Sequence, residues 1–154
     1  MTRQAIGPAA KLSAVLGAAA IALGAGASAQ AAPAEARFVS AADALKDAGK
    51  PIATEPGYTY LEVLRDKDGE VEVHDGWNDI MVVQEGRGEM RLGGVVAGGR
   101  VISPGEHRGG TATGARVQPL APGDILFIPA GMAHQAMLAP GTSQLRYFTV
   151  KTKP

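Results

Sequence analysis

Residues Gly123–His134 read GDILFIPAGMAH, and the order of residue types in this stretch decides the fold. Gly123 and Asp124 turn the chain into an apolar strand, Asp124–Ile128, rich in the branched and aromatic side chains that favour extended backbone. Pro129 ends that strand because it has no N–H to give to a sheet ladder. Gly131 permits a sharp reversal, and His134 then opens the next strand, Gln135–Leu138. Strand, tight corner and strand within so few residues point to an all-β architecture.

A second informative stretch, Glu70–Glu85, reads EVEVHDGWNDIMVVQE, and Gly86 follows. Alternation places Glu72 and His74 on one face of a strand and Val71 and Val73 on the other. Further short β-type runs surround these two: Tyr58–Leu64, Glu70–His74, Ile80–Gln84, Gly88–Leu92, Arg116–Leu120 and Leu145–Lys151. Asp66-Lys67-Asp68-Gly69 has the composition of a tight hairpin. Glu85-Gly86-Arg87-Gly88 also reads as a hairpin turn and not as a phosphate loop, since no helix follows to present amide groups. The Gly-rich stretch from Gly93 to Gly114 is expected to be a long loop with at most one short strand near Val95–Ile102. Many short strands separated by turn signals describe a β-sandwich or barrel.

The spacing of Gly123, Pro129, Gly131 and His134 resembles the second motif of the cupin family: Gly, five residues, Pro-x-Gly, two residues, His. The motif's closing Asn falls on Leu138, a departure. The first cupin motif is matched in spacing and only partly in identity. Glu72 stands at its first His, His74 at its second, Asp79 at its Glu and Gly86 at its Gly, while its leading Gly falls on Asp66. The resemblance covers roughly Tyr58 to Lys151. It implies a double-stranded β-helix, or jelly-roll barrel, of six to eight strands with a pocket at one barrel mouth and a short N-terminal helix outside it.

In metal-bearing cupins three His and one Glu converge on a divalent cation, and the matching positions here are Glu72, His74, Asp79 and His134. Two imidazoles and two carboxylates suit Fe, Mn, Ni or Zn, with open positions left for water or substrate. Two physical points weigh against the ion: one imidazole is lost, and Asp79 is a methylene shorter than Glu. Facing carboxylates either hold a cation, share a proton, or find a basic partner such as Lys151 or an arginine. Trp77, between His74 and Asp79, either covers the barrel edge or walls the pocket. Tyr58, Tyr60 and Lys151 are candidate acids or bases. His107 is expected in an exposed loop, and Met81, Phe127, Met132 and Met137 in the core or the pocket lining.

Outside the barrel, residues 1–29 have the layout of a cleaved secretory signal peptide. Arg3 and Lys11 precede an apolar run from Leu12 to about Gly26, and Ala27-Ser28-Ala29 supplies the small residues of an exit site. The apolar run is roughly 15 residues, short of the roughly 20 a membrane-spanning helix needs. Residues 30–56 read as a lead-in carrying a short helix, Ala41–Ala48, capped by Ser40 with Asp43 as the capping-box acid. The expected barrel is residues 57–154, and the expected location is the periplasm or the medium, off the membrane once cleaved.

Composition narrows the function. The 154 residues carry 15 Lys+Arg against 15 Asp+Glu and no Cys. That balance lacks the basic face needed to displace counterions from nucleic acid. Absence of Cys excludes a disulfide framework, a thiolate nucleophile and a zinc ribbon. Three readings follow from the resemblance: a binding barrel for a small polar molecule, with or without a cation; a metal-dependent oxygenase, isomerase or lyase acting on a small organic acid, phenol or sugar; and a barrel that self-associates through an edge strand as a homodimer.

Overall fold

A computed structural model describes residues 36–154. The expected signal peptide and the first part of the lead-in lie outside the described residues. Helix α1 spans Ala41–Lys46, with the Ser40 side chain accepting from the Asp43 N–H at 3.1 Å. It stops short of Ala48 because the Gly49 N–H donates to the Glu62 carbonyl at 2.7 Å, which draws the chain onto the barrel.

Strands follow in chain order as β1 (Pro51–Glu55), β2 (Tyr58–Arg65), β3 (Glu72–His74), β4 (Asn78–Glu85), β5 (Gly88–Leu92) and β6 (Val95–Ala97). The chain continues through β7 (Arg100–Ser103), β8 (Glu106–Arg108), β9 (Thr111–Thr113), β10 (Arg116–Leu120), β11 (Ile125–Ile128), β12 (His134–Leu138) and β13 (Leu145–Thr152). One antiparallel sheet runs β1-β2-β13-β4-β11, a second runs β10-β5-β12-β3-β8-β7, and β6 pairs with β9 in a separate ribbon. β1 is an addition to the expected strands; its leading proline is tolerated at the start of an edge strand.

Both expected hairpins are absent. β2 and β3 belong to different sheets, so Asp66–Gly69 carries the chain across the barrel instead of folding it back. Gly69 has no positive φ; its N–H donates to the Ala136 carbonyl at 2.8 Å, and a Cβ there would lie 2.8 Å from the Arg65 guanidinium. β4 and β5 are likewise in different sheets. Gly86, at the crossing, has φ 80° and would place a Cβ 2.0 Å from the Gln144 carbonyl oxygen, so only glycine fits. A compact turn composition is the same whether the chain returns to its own sheet or passes to the facing one.

The stretch from Gly93 to Gly114 is not a loop. It forms β6, β7, β8 and β9, with positive-φ glycine pairs such as Gly98-Gly99 and Gly109-Gly110 turning the chain between them. The described residues therefore hold thirteen strands where six to eight were expected.

Alternation along β4, β5 and β13 sends Met81, Val83, Met90, Leu92, Leu145 and Tyr147 into one buried cluster between the sheets. Phe127 does not join it. Register with β4 turns Phe127 and Ile125 outward, 59% and 72% exposed, while Ile128 faces the core. The same strands that bury apolar residues at one end of the barrel carry polar ones at the other. β4 begins with inward Asp79, and β13 ends with inward Thr149 and Lys151, Lys151 lying in register with Asp79. On the facing sheet His134 lies in register with Glu72.

Candidate functional site

Each polar side chain at that end is placed by a strand terminus. β3 delivers Glu72 and His74 inward, two residues apart on one face. His134 opens β12 directly after the corner made by Pro129 and Gly131. The corner is tied to the other motif through its backbone, since the Gly131 N–H donates to the His74 carbonyl at 2.8 Å. Asn78 reinforces the link by accepting from the Ala130 N–H at 2.9 Å.

The result is a convergence of donors. The two imidazole rings lie 5.1 Å apart between centroids. Glu72, His74 and His134 each offer an atom within 4.8 Å of the others'. Asp79 Oδ2 lies 3.6 Å from Nε2 of both histidines, so its shorter side chain does reach them. Glu72 Oε2 lies 3.5 Å from His74 Nε2 and 3.8 Å from His134 Nε2. Ligands roughly 2.0–2.3 Å from a tetrahedral ion stand about 3.3–3.8 Å from one another. The four imidazole–carboxylate spacings fall in that range, although Asp79 is not one of the three residues whose donor atoms all lie within 4.8 Å of one another.

Hydrogen bonds on the far side of each ring fix which nitrogen faces inward. His134 Nδ1 donates to the Met132 carbonyl at 3.0 Å, which leaves the Nε2 lone pair pointing at the carboxylates. His74 Nδ1 lies 2.5 Å from Glu106 Oε2, and His74 Nε2 is buried without a hydrogen-bond partner. Such an outer carboxylate or carbonyl is what holds a metal-ligating histidine in the correct tautomer.

The carboxylates are held from behind by cations. Arg65 donates to Glu72 Oε1 at 2.9 Å, and Arg108 pairs with the same oxygen. Lys151 Nζ sits 2.7 Å from Asp79 Oδ1. Each acid therefore spends one oxygen on a basic side chain and turns the other toward the imidazoles. Burial works against a charged Glu72, but contact with His74 and the charges of Arg108, His134 and Arg65 outweigh it and hold the carboxyl at about 2. Burial likewise opposes a charged His74, yet Glu72, Asp79 and Glu106 raise its pKa despite the nearby Lys151. For His134 burial dominates and lowers the pKa.

Above the cluster is a cavity of about 610 Å³ lined by Glu72, Asp79, His134, Arg65, Arg108 and Lys151, among others, with Met81, Met90 and Ile128 supplying apolar wall. Of the expected pocket residues, neither His74 nor Trp77 is among those lining it; the Trp77 ring packs under Lys153 Nζ at 3.7 Å. Tyr58 and Tyr60 stack on each other, and Tyr60 packs at a tilt against Phe148; neither tyrosine lines the cavity. The tyrosine that does reach it is Tyr147, whose hydroxyl accepts from Arg65 Nε at 2.8 Å. His107 is on β8 and not in a loop, half-exposed and paired with Asp75 at 3.1 Å.

Arg65, Arg108, Glu106 and Tyr147 were missed by sequence reasoning. For two of them a signal exists: Glu106-His107-Arg108 alternates charge within the Gly-rich stretch, which puts Glu106 and Arg108 on one face of a strand.

Among solved structures, an uncharacterised protein with a double-stranded β-helix domain from Klebsiella pneumoniae superposes with a TM-score of 0.54 at 19% identity, covering 77% of this chain and 91% of that one. This chain has a cupin fold. Two more distant likenesses are a cupin protein from Bacteroides fragilis (TM-score 0.44, 14% identity, 64% of this chain and 68% of that chain) and Peruvianin-I, a cysteine peptidase from Thevetia peruviana latex (TM-score 0.46, 15% identity, 63% of this chain). The chain spans about half the length of Peruvianin-I, 51%. No protein-family model matches the cupin-fold chain, and no curated protein matches it by sequence.

Glu106 gives the site a testable handle. Protonated His74 competes with a cation for Nε2, so divalent-metal affinity should rise as pH increases through the raised His74 pKa. Glu106→Gln should weaken metal binding roughly 10–100-fold and move that inflection to lower pH, read by calorimetric titration across pH 6 to 8. An unchanged inflection would leave Glu106 without a positioning role.

Proposed function

We propose that this cupin-fold chain is an exported small-molecule-binding protein whose barrel cavity carries a divalent transition metal, Fe, Mn, Ni or Zn, on Glu72, His74, His134 and Asp79. The single observation that carries the reading is the orphaned His74 Nε2. Nε2 of both histidines lies 3.5–3.8 Å from Glu72 Oε2 and from Asp79 Oδ2. Imidazole nitrogens and carboxylate oxygens converging in this way are the donor set that a divalent transition metal takes. When bound, the ion would act as a Lewis acid toward an oxygen of the ligand.

The protein's own groups have separate tasks. Arg65 and Arg108 help keep Glu72 ionised and leave its Oε2 facing inward, and Lys151 takes Asp79 Oδ1 and leaves Oδ2 facing inward. Glu106 holds His74 and the Met132 carbonyl holds His134. Met81, Met90 and Ile128 give the cavity an apolar wall against which a small organic molecule can shed water. Export rests on the layout of residues 1–29 alone.

Elemental analysis and native mass spectrometry of untagged protein test the reading together. A stoichiometric transition metal that is lost in a His74→Ala, His134→Ala double variant is the expected result. Metal-free protein that also fails to take up Mn²⁺ or Zn²⁺ on titration would overturn it.

A further inference from the structure

The charges around the cluster balance before any cation arrives. Glu72, Asp79 and Glu106 are three acids, and Arg65, Arg108 and Lys151 are three bases that touch two of them. Both imidazoles are neutral when Nε2 serves as a ligand. A divalent ion seated on Glu72, His74 and His134 therefore brings two uncompensated positive charges into a place largely removed from water. The other charges at the mouth, Asp66, Lys67, Asp68 and Glu70, are exposed, and Glu70 is already taken by Arg100. Solvent screens these far more than it screens the interior.

Donors point the same way. Arg108 spends one nitrogen on Glu72 and Lys151 one proton on Asp79; among the described residues neither makes another side-chain bond. Both line the cavity, with side chains 27% and 18% exposed. Glu72 and Asp79, by contrast, each have one oxygen on a base and the other facing the imidazoles. Unused cationic donors beside a metal position select a ligand with negative charge and acceptor oxygens, which is a carboxylate or a similar organic anion.

We propose that the ligand of this pocket is a small organic anion, held by Arg108 and Lys151, and that it binds cooperatively with the cation because each supplies the charge the other lacks. This rests on the metal reading above. Coupling of this kind is reciprocal: the acid raises affinity for the metal by the factor the metal raises affinity for the acid.

Titrating Mn²⁺ into metal-stripped protein, alone and with acetate, benzoate or malonate, tests it, with acetamide, benzamide and malonamide as uncharged controls and solution chelation subtracted. At least one acid should raise Mn²⁺ affinity about five-fold or more, its amide should not, and Arg108→Gln should shrink the gain. Lys151→Gln serves the same purpose should the Arg108 variant fold poorly. Mn²⁺ that binds equally well with acids, with amides and alone overturns the anionic ligand and leaves the metal centre standing. No Mn²⁺ uptake in any mixture overturns both.

Discussion

His134→Ala should reduce affinity for Mn²⁺ or Zn²⁺ by more than the roughly 100-fold that losing an outer partner costs a metal site. On the proposed reading the substitution removes a ligand nitrogen itself. Its lone pair is aimed inward by the bond from Nδ1 to the Met132 carbonyl, and no other nitrogen among the described residues stands ready to replace it. Alanine leaves Glu72 Oε2 and Asp79 Oδ2 facing His74 alone. Metal-free stability should fall as well, by about 1–3 kcal/mol, because His134 is buried and the Met132 carbonyl loses its donor. Calorimetric titration of Mn²⁺ with a parallel melting curve reads both quantities. Retained affinity would remove His134 from the centre and, with it, the reason the two stretches of chain converge.

Leu145→Ala should cost about 2–5 kcal/mol of stability, the range for a fully buried leucine whose cavity the surroundings cannot close. Leu145 is 0% exposed and sits in the cluster of Met81, Val83 and Met90 packed between the sheets. Close-packed sheets on both sides leave little room to collapse. It also guards a crossing: the backbone preceding it, at Gln144, meets Gly86 where the chain passes between sheets. Chemical denaturation of the metal-free protein measures the loss. Because Leu145 does not line the cavity and touches none of the proposed ligands, Mn²⁺ affinity of the folded variant should stay near that of the parent. A loss of less than about 1 kcal/mol would mean the core is looser than its burial suggests.

Much of the site was legible because it is local. The spacing from Gly123 through Pro129 and Gly131 to His134 follows from a turn, a strand end and a corner. Alternation alone put Glu72 and His74 on one face. Residue identity even raised the question of how two acids could face each other, and named Lys151 or an arginine as one answer. The structure shows the last of the alternatives: the rear oxygens take Arg65, Arg108 and Lys151, while the front ones face the imidazoles.

Sequence by itself determined the strands with strong apolar alternation, the corner before His134 and the donor types on each face, because those depend on neighbours within a few residues. Tertiary structure alone decided which turns fold back and which cross the barrel, since Asp66–Gly69 and Glu85–Gly88 have the composition of either. It also decided that Arg65, Glu106 and Arg108 surround the cluster. Those side chains arrive on β2 and β8, brought to β3 by sheet pairing and by a crossing between sheets. Pairing across such separations is governed by how the whole core closes, which no window of sequence contains.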